Sequence, residues 1–108
     1  MSRNATYTVA PDYTGVNGTH LQGYITTDFA TLVATFGDSL GGSDKTTQEW
    51  ILVGEDGTVA TIYDWKEYET PMGKYEWHIG GTSYKAVELV QDALMGYAVN
   101  AAELYQGA

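Results

Sequence analysis

Between Gly54 and Ser83 the chain reads as two aromatic strands separated by turn chemistry, and this stretch narrows the folds open to it more than any other. Asp56-Gly57 stands between two β-prone runs, where a tight hairpin of the primed type needs residues that tolerate positive φ. The first run is expected from about Thr46 to Val53, and the return strand from Thr58 to Lys66. Along the return strand Val59, Thr61, Tyr63 and Trp65 share one face, and Ala60, Ile62, Asp64 and Lys66 the other. Apolar residues on both faces describe a central strand covered on each side, by a helix or by another subunit. Glu67 to Lys74, with Thr70-Pro71-Met72-Gly73, turns the chain into a further strand from Tyr75 to Ile79.

Helical patterns flank this stretch. Thr27 reads as an N-cap with Asp28 in the first turn, and Phe29, Leu32, Val33 and Phe36 recur at i, i+3, i+4 and i+7 before Gly37 stops the helix. Leu21 to Thr26 precedes it as a brief strand, and Asp38 to Lys45 follows as a polar Gly/Ser loop. Gly80-Gly81 is expected to break the last strand. Thr82 or Ser83 then caps a second helix, whose Val87, Val90 and Leu94, with Ala86, Leu89 and Ala93, make a broad apolar stripe as far as Gly96. Residues 1–19, rich in Thr, Asn, Gly and Tyr, hold at most a short edge strand and read as an N-terminal extension to a single domain over 20–108. The expected fold is α+β, an antiparallel sheet of about four or five strands with two helices in the order β-α-β-β-β-α.

A chain of 108 residues supports one modest core. Tyr97 to Leu104 stays apolar and helix-prone after a helix that already has a full stripe, so a homo-oligomer using this tail or an aromatic sheet face is expected. The formal charge of −9 argues against direct nucleic-acid binding and against an anionic membrane surface. Met1-Ser2-Arg3-Asn4 opens no apolar leader and no run is long enough to cross a bilayer, so a cytoplasmic location is expected. The absence of cysteine removes disulfides, thiolate metal sites and cysteine nucleophiles.

Three groups of residues carry the functional reading. Trp50, Tyr63, Trp65, Tyr75 and Trp77 all fall on expected strands, where they form either core or a platform on which a flat base stacks. His78-Ile79-Gly80-Gly81-Thr82-Ser83 runs into a helix, where free amides at Gly80 and Gly81, hydroxyls at Thr82 and Ser83 and charge at His78 or Lys85 suit an anion; ordinary turn chemistry is the alternative. Ser43-Asp44-Lys45-Thr46-Thr47 brings a cation and hydroxyls to the start of an aromatic strand, again with a solvated loop as the alternative. Catalysis has little support. Asp64, Glu67, Glu69 and Glu76 show no diagnostic spacing, His20 and His78 are the only histidines, and neither a metal site nor a nucleophile elbow can be picked out. The expectation is a binding protein without enzymatic activity, metal or cofactor.

The order of the motifs adds to this. Leu21-Gln22-Gly23-Tyr24-Ile25, a short helix ending in Phe36-Gly37, a Glu49-Trp50 strand, the run from Asp56 to Lys66, Trp77-His78-Ile79-Gly80-Gly81 and a last helix follow one another. This series resembles a group of small phage-encoded proteins, over roughly residues 21 to 94. In size, element order and aromatic strands the chain is also similar to the phage anti-CBASS and anti-Thoeris sponge proteins, oligomeric binders that hold a nucleotide messenger without cleaving it. The resemblance implies immune evasion in the host cytoplasm by sequestering a cyclic nucleotide. Tyr63, Trp65 and Trp77 would stack the base, the Gly80 and Gly81 amides would meet phosphate, and Lys45 or Lys85 would supply charge. The alternative function is an acidic nucleic-acid mimic that inhibits a host defence enzyme.

Overall fold

Glycine ends the turn at the centre of the chain, although by a wider loop than the tight one expected. In the computed structural model, which describes residues 5–13 and 18–102, the Gly54 N–H donates to the Thr58 carbonyl at 2.7 Å and the Gly57 N–H to the Gly54 carbonyl at 2.9 Å. Gly57 takes φ 90°, a conformation that costs a side-chain-bearing residue energy. The element order is β1 (Ala5–Val9), β2 (His20–Thr27), α1 (Phe29–Phe36), β3 (Glu49–Gly54), β4 (Val59–Tyr63), β5 (Tyr75–Gly81), α2 (Lys85–Met95) and β6 (Ala98–Asn100).

The strands form one six-stranded sheet in the order β2-β5-β4-β3-β1-β6. The fold is α+β with two helices, as expected, but the sheet is larger and mixed. Strands β2, β5, β4, β3 and β1 pair antiparallel, whereas β1 and β6 run parallel, Thr6 opposite Val99. Both differences come from the chain's flanks. The N-terminal segment expected to be an appendage contributes an inner strand, whose Tyr7 is buried and meets the Phe36 ring edge-on at 5.9 Å. The tail expected to be helical turns back at Gly96, φ 86°, where the Tyr97 amide donates to the Asp92 carbonyl at 2.7 Å, a left-handed helix stop. Ala98 is then buried beside the core. Residues 103–108, the end of that tail, lie outside the described residues, as do 14–17.

Both helices cover the same face of the sheet. Leu32 and Phe36 of α1 and Ala86, Val87 and Val90 of α2 pack on Trp50, Leu52, Ile62, Trp77 and Ile79. Each buried indole has a partner for its N–H, Trp50 in the Gly37 carbonyl at 2.9 Å and Trp77 in the Thr27 carbonyl at 3.2 Å. Helix α2 approaches so closely at Gly81 that a Cβ there would stand 2.4 Å from the Ala86 Cβ. The cap of α1 is Asp28 rather than Thr27; its carboxylate accepts the Thr31 amide at 2.8 Å, and the Thr31 hydroxyl first, then this amide, hold the Asp28 pKa below its usual value. Covering of β4 on both sides by helices is not what the fold provides: Thr61 and Tyr63 point to the face opposite the helix-packed core.

Candidate functional site

Strand alternation places two rows of side chains on the helix-free face. The register sets Tyr24, His78, Tyr63 and Glu49 opposite one another across β2, β5, β4 and β3. The neighbouring row is Leu21, Gly80, Thr61 and Ile51. In the first row the rings touch. Tyr63 stacks on His78 with centroids 5.3 Å apart and planes at 29°, and Tyr24 meets the other side of His78 edge-on at 4.9 Å. Trp65, just beyond β4, stands 6.2 Å from Tyr63 with planes at 72°, so the two rings make a corner rather than a clamp.

In the second row Gly80 keeps the floor low. A Cβ there would fall 2.6 Å from Thr61 Oγ1 and 3.4 Å from the Tyr63 ring. Above this floor opens a cavity of about 360 Å³, bounded by Tyr63, Trp65, Glu49, Leu21 and the Ser43–Thr46 loop. Tyr13 lines it too, and its hydroxyl donates to the Gly41 carbonyl at 3.2 Å, joining two loops at the rim. On the other side of the same loop a second recess, about 450 Å³, gathers Lys45, Lys66, Glu67 and Tyr68.

The loop wall is held from below. Asp64 has no exposed surface, and its carboxylate accepts the Thr47 amide at 2.7 Å, the Thr47 hydroxyl at 2.6 Å and the Gln48 amide at 3.2 Å. Those donors offset the cost of burying the charge and fix where the loop joins β3. The Lys66 amide, at φ 58°, donates to the Lys45 carbonyl at 2.7 Å and ties the loop to the end of β4 a second time. Thr46, itself buried, donates its hydroxyl to Glu49 Oε2 at 2.6 Å.

Burial shapes the protonation of the row. The Tyr63 phenol is pushed up first by burial, then by the charge of Glu49 and by Tyr24. The His78 imidazole is held below 6.5 by burial, which outweighs the opposite pull of Glu76 and Asp64. Its Nδ1 is buried without a hydrogen-bond partner. A neutral ring packed between aromatics is therefore the resting state, and His78 acts as an aromatic plate more than as a charge.

Of the residues singled out from sequence, Lys45, Thr46, Tyr63, Trp65 and Gly80 come together at the cavity, with His78 directly behind Tyr63. Trp77 does not: it is fully buried under the helices, in edge contact with Trp50 at 5.7 Å. Gly80 and Gly81 continue β5 rather than breaking it. Both are paired with β2 on one side and β4 on the other, so their backbone is spent in the sheet and not offered to an anion. Gly81 moreover faces α2. Thr82 and Ser83 lie in the exposed turn before α2, where Ser83 Oγ accepts the Lys85 amide at 3.2 Å. Lys85 lines a separate recess of about 230 Å³ with Glu55, Asp56 and Glu88. Sequence reasoning missed Tyr24, Glu49, Thr61 and Tyr13. For Glu49 a signal existed, since it alternates with Ile51 opposite the buried Trp50 and Leu52; Tyr24 needed the β2–β5 register, which no local pattern carries.

Among the described residues no group of His, Asp and Glu is arranged to hold a metal ion, and no helix is long and apolar enough to cross a membrane. Compared with protein-family models, with curated proteins and with solved structures, the chain has no match.

Proposed function

We propose that this chain is a non-catalytic binder that sequesters a small nucleotide, in the manner of the phage sponge proteins it resembles, acting in the host cytoplasm on a cyclic nucleotide signal of anti-phage defence. The observation that carries the reading is the cavity at the Tyr63–Trp65 corner, where an exposed indole and a half-buried phenol stand beside a hydroxyl-rich loop bearing Lys45. Its volume suits a base with its sugar. Stacking on an open aromatic ring needs no particular base edge and supplies about 1 to 3 kcal/mol per base. Lys45 and Lys66, on the far side of the loop, offer a phosphate the nearest positive charge. Self-association belongs to the same proposal, with Met95 and Tyr97, both exposed at the end of α2, at the contact; sedimentation showing only monomer at micromolar concentration removes that part.

Calorimetry against a panel of linear and cyclic nucleotides tests the reading. Saturable binding, with the nucleotide recovered intact after heat denaturation, supports a sponge. Product in excess of protein makes it an enzyme, and no binding to any member of the panel discards the proposal. One observation favours the acidic-mimic alternative: Glu55, Asp56, Glu88 and Asp92 gather around a single lysine at the recess between the β3–β4 turn and α2. That function calls for a salt-sensitive complex with a basic protein and no nucleotide effect.

A further inference from the structure

Glu49 is the cavity residue that stacking leaves unused. It stands opposite Tyr63 in the β3–β4 register and lines the cavity. Its Oε2 accepts hydroxyl bonds from Thr46 at 2.6 Å and from Ser43 at 3.3 Å, so the carboxylate is held in one orientation. Both bonds fall on one oxygen. A carboxylate has about four lone-pair positions, and those of Oε1 remain for a ligand. The charge is felt by the surrounding rings, since after burial it is the next cause raising the phenols of Tyr63 and Tyr13. Asp44 and Glu49 also balance Lys45 at this cavity, so its interior favours a group that donates hydrogen bonds over one that carries negative charge.

Resting on the nucleotide-binding reading above, we infer that the cavity selects a guanine base, its ring N–H and adjacent amino group turned to Glu49 and its flat face on Tyr63 or Trp65. Guanine sets two donors side by side on one edge, which a carboxylate accepts together, one on Oε1 and one on Oε2 once the Ser43 hydroxyl turns to Thr46 Oγ1, 2.9 Å away. Adenine's amino group lies beside a ring acceptor, and uracil's N–H lies between two carbonyls, so a carboxylate repels part of either edge. The corner geometry agrees, because planes at 72° let a base lie on one ring while its rim meets the other, leaving a single edge free to turn toward β3.

Titration calorimetry with GMP, IMP and AMP tests this, since the three share one phosphate and IMP lacks only the amino group of GMP. Wild-type protein is expected to bind GMP about tenfold or more tighter than IMP, the scale of a hydrogen bond to a charged group. Glu49→Gln, which can still accept from Thr46, should bring GMP to within about twofold of IMP. Trp65→Ala should weaken all three alike. Equal affinity for GMP, IMP and AMP in the wild type overturns the guanine inference, while a uniform loss in Trp65→Ala would leave the stacking reading standing. Silence with all three overturns the inference as well, and the wider proposal falls only if cyclic nucleotides are silent too. Should Glu49→Gln fail to fold, the GMP–IMP comparison on unaltered protein decides the matter.

Discussion

Trp77 and His78 are neighbours on β5, yet one side chain has no exposed surface and the other lies on the helix-free face, stacked on Tyr63 behind the cavity. Around Trp77 the rings of Trp50 and Tyr75 pack edge-on beneath two helices, and every indole N–H is answered by a carbonyl. Around His78 the rings of Tyr24, Tyr63 and Trp65 form a strip that no helix covers, and one imidazole nitrogen is left unanswered. The same residue classes thus form a packed core on one face and a strip that no helix covers on the other. The glycines repeat the contrast: Gly81 makes room for a helix, and Gly80 makes room for the floor of the cavity.

The sharpest test of this division is Trp77→Ala, which should cost about 3 to 5 kcal/mol in urea unfolding through the cavity it leaves. Ligand affinity of the fraction that stays folded should be unchanged; a loss of affinity at full stability would move Trp77 to the other face. Gly81→Ala comes next, at about 1 to 3 kcal/mol, because the new methyl meets the Ala86 Cβ and the Val59 carbonyl with no flexible group to yield. Thermal melting that matches the wild type would show that α2 sits further from β5 than described.

On the open face the balance should invert. Trp65→Ala is expected to cost about 1 to 3 kcal/mol of nucleotide binding, with stability changed by no more than about 0.5 kcal/mol, as for an exposed position. The smallest effect concerns pH. Burial holds the His78 pKa below its ordinary 6.5. As pH falls through that value the unfolded chain takes the proton first, so the stability present at higher pH drains away until the lower folded value is passed. His78→Gln should flatten this part of the stability–pH curve. A wild-type curve that rises on acidification over the same window would mean that His78 gains a partner when charged.

Local signals read from the chain were those whose physics is local. The 3.6-residue pattern of Phe29, Leu32, Val33 and Phe36 and the Gly37 stop appear where expected, whereas the return strand is shorter than its pattern: β4 ends at Tyr63, and Trp65 reaches the same cavity from just beyond it. The side on which Trp77 would lie was not legible, because alternation pairs it with Tyr75 without saying which face receives the helices. Gly80-Gly81 misled for a related reason. Glycine pairs usually end strands, and here both stay within β5 because Leu21 and His20 of β2 and Thr61 and Ala60 of β4, residues far along the chain, pair with them on either side. Tyr7 and Ala98 looked peripheral because their partners lie at the opposite flank. Most of the stacking corner was therefore readable, while Tyr24 and Glu49 depended on register.

The parallel pairing of β1 with β6 also has a kinetic consequence. Strands β2 to β5 derive from residues 20–81, whereas the β1–β6 ladder joins Ala5 to Ala98 and Tyr7 to Asn100 across almost the whole chain. Closing so long a loop carries the largest entropic cost in the sheet, so this ladder is expected to form last. On a ribosome the strands that floor the cavity emerge and pair while β6 is still unmade, and β1 waits with one edge open. Pulse-labelled exchange would show the order directly: amides of β4 protected before the Val99 and Asn100 amides, with simultaneous protection ruling it out.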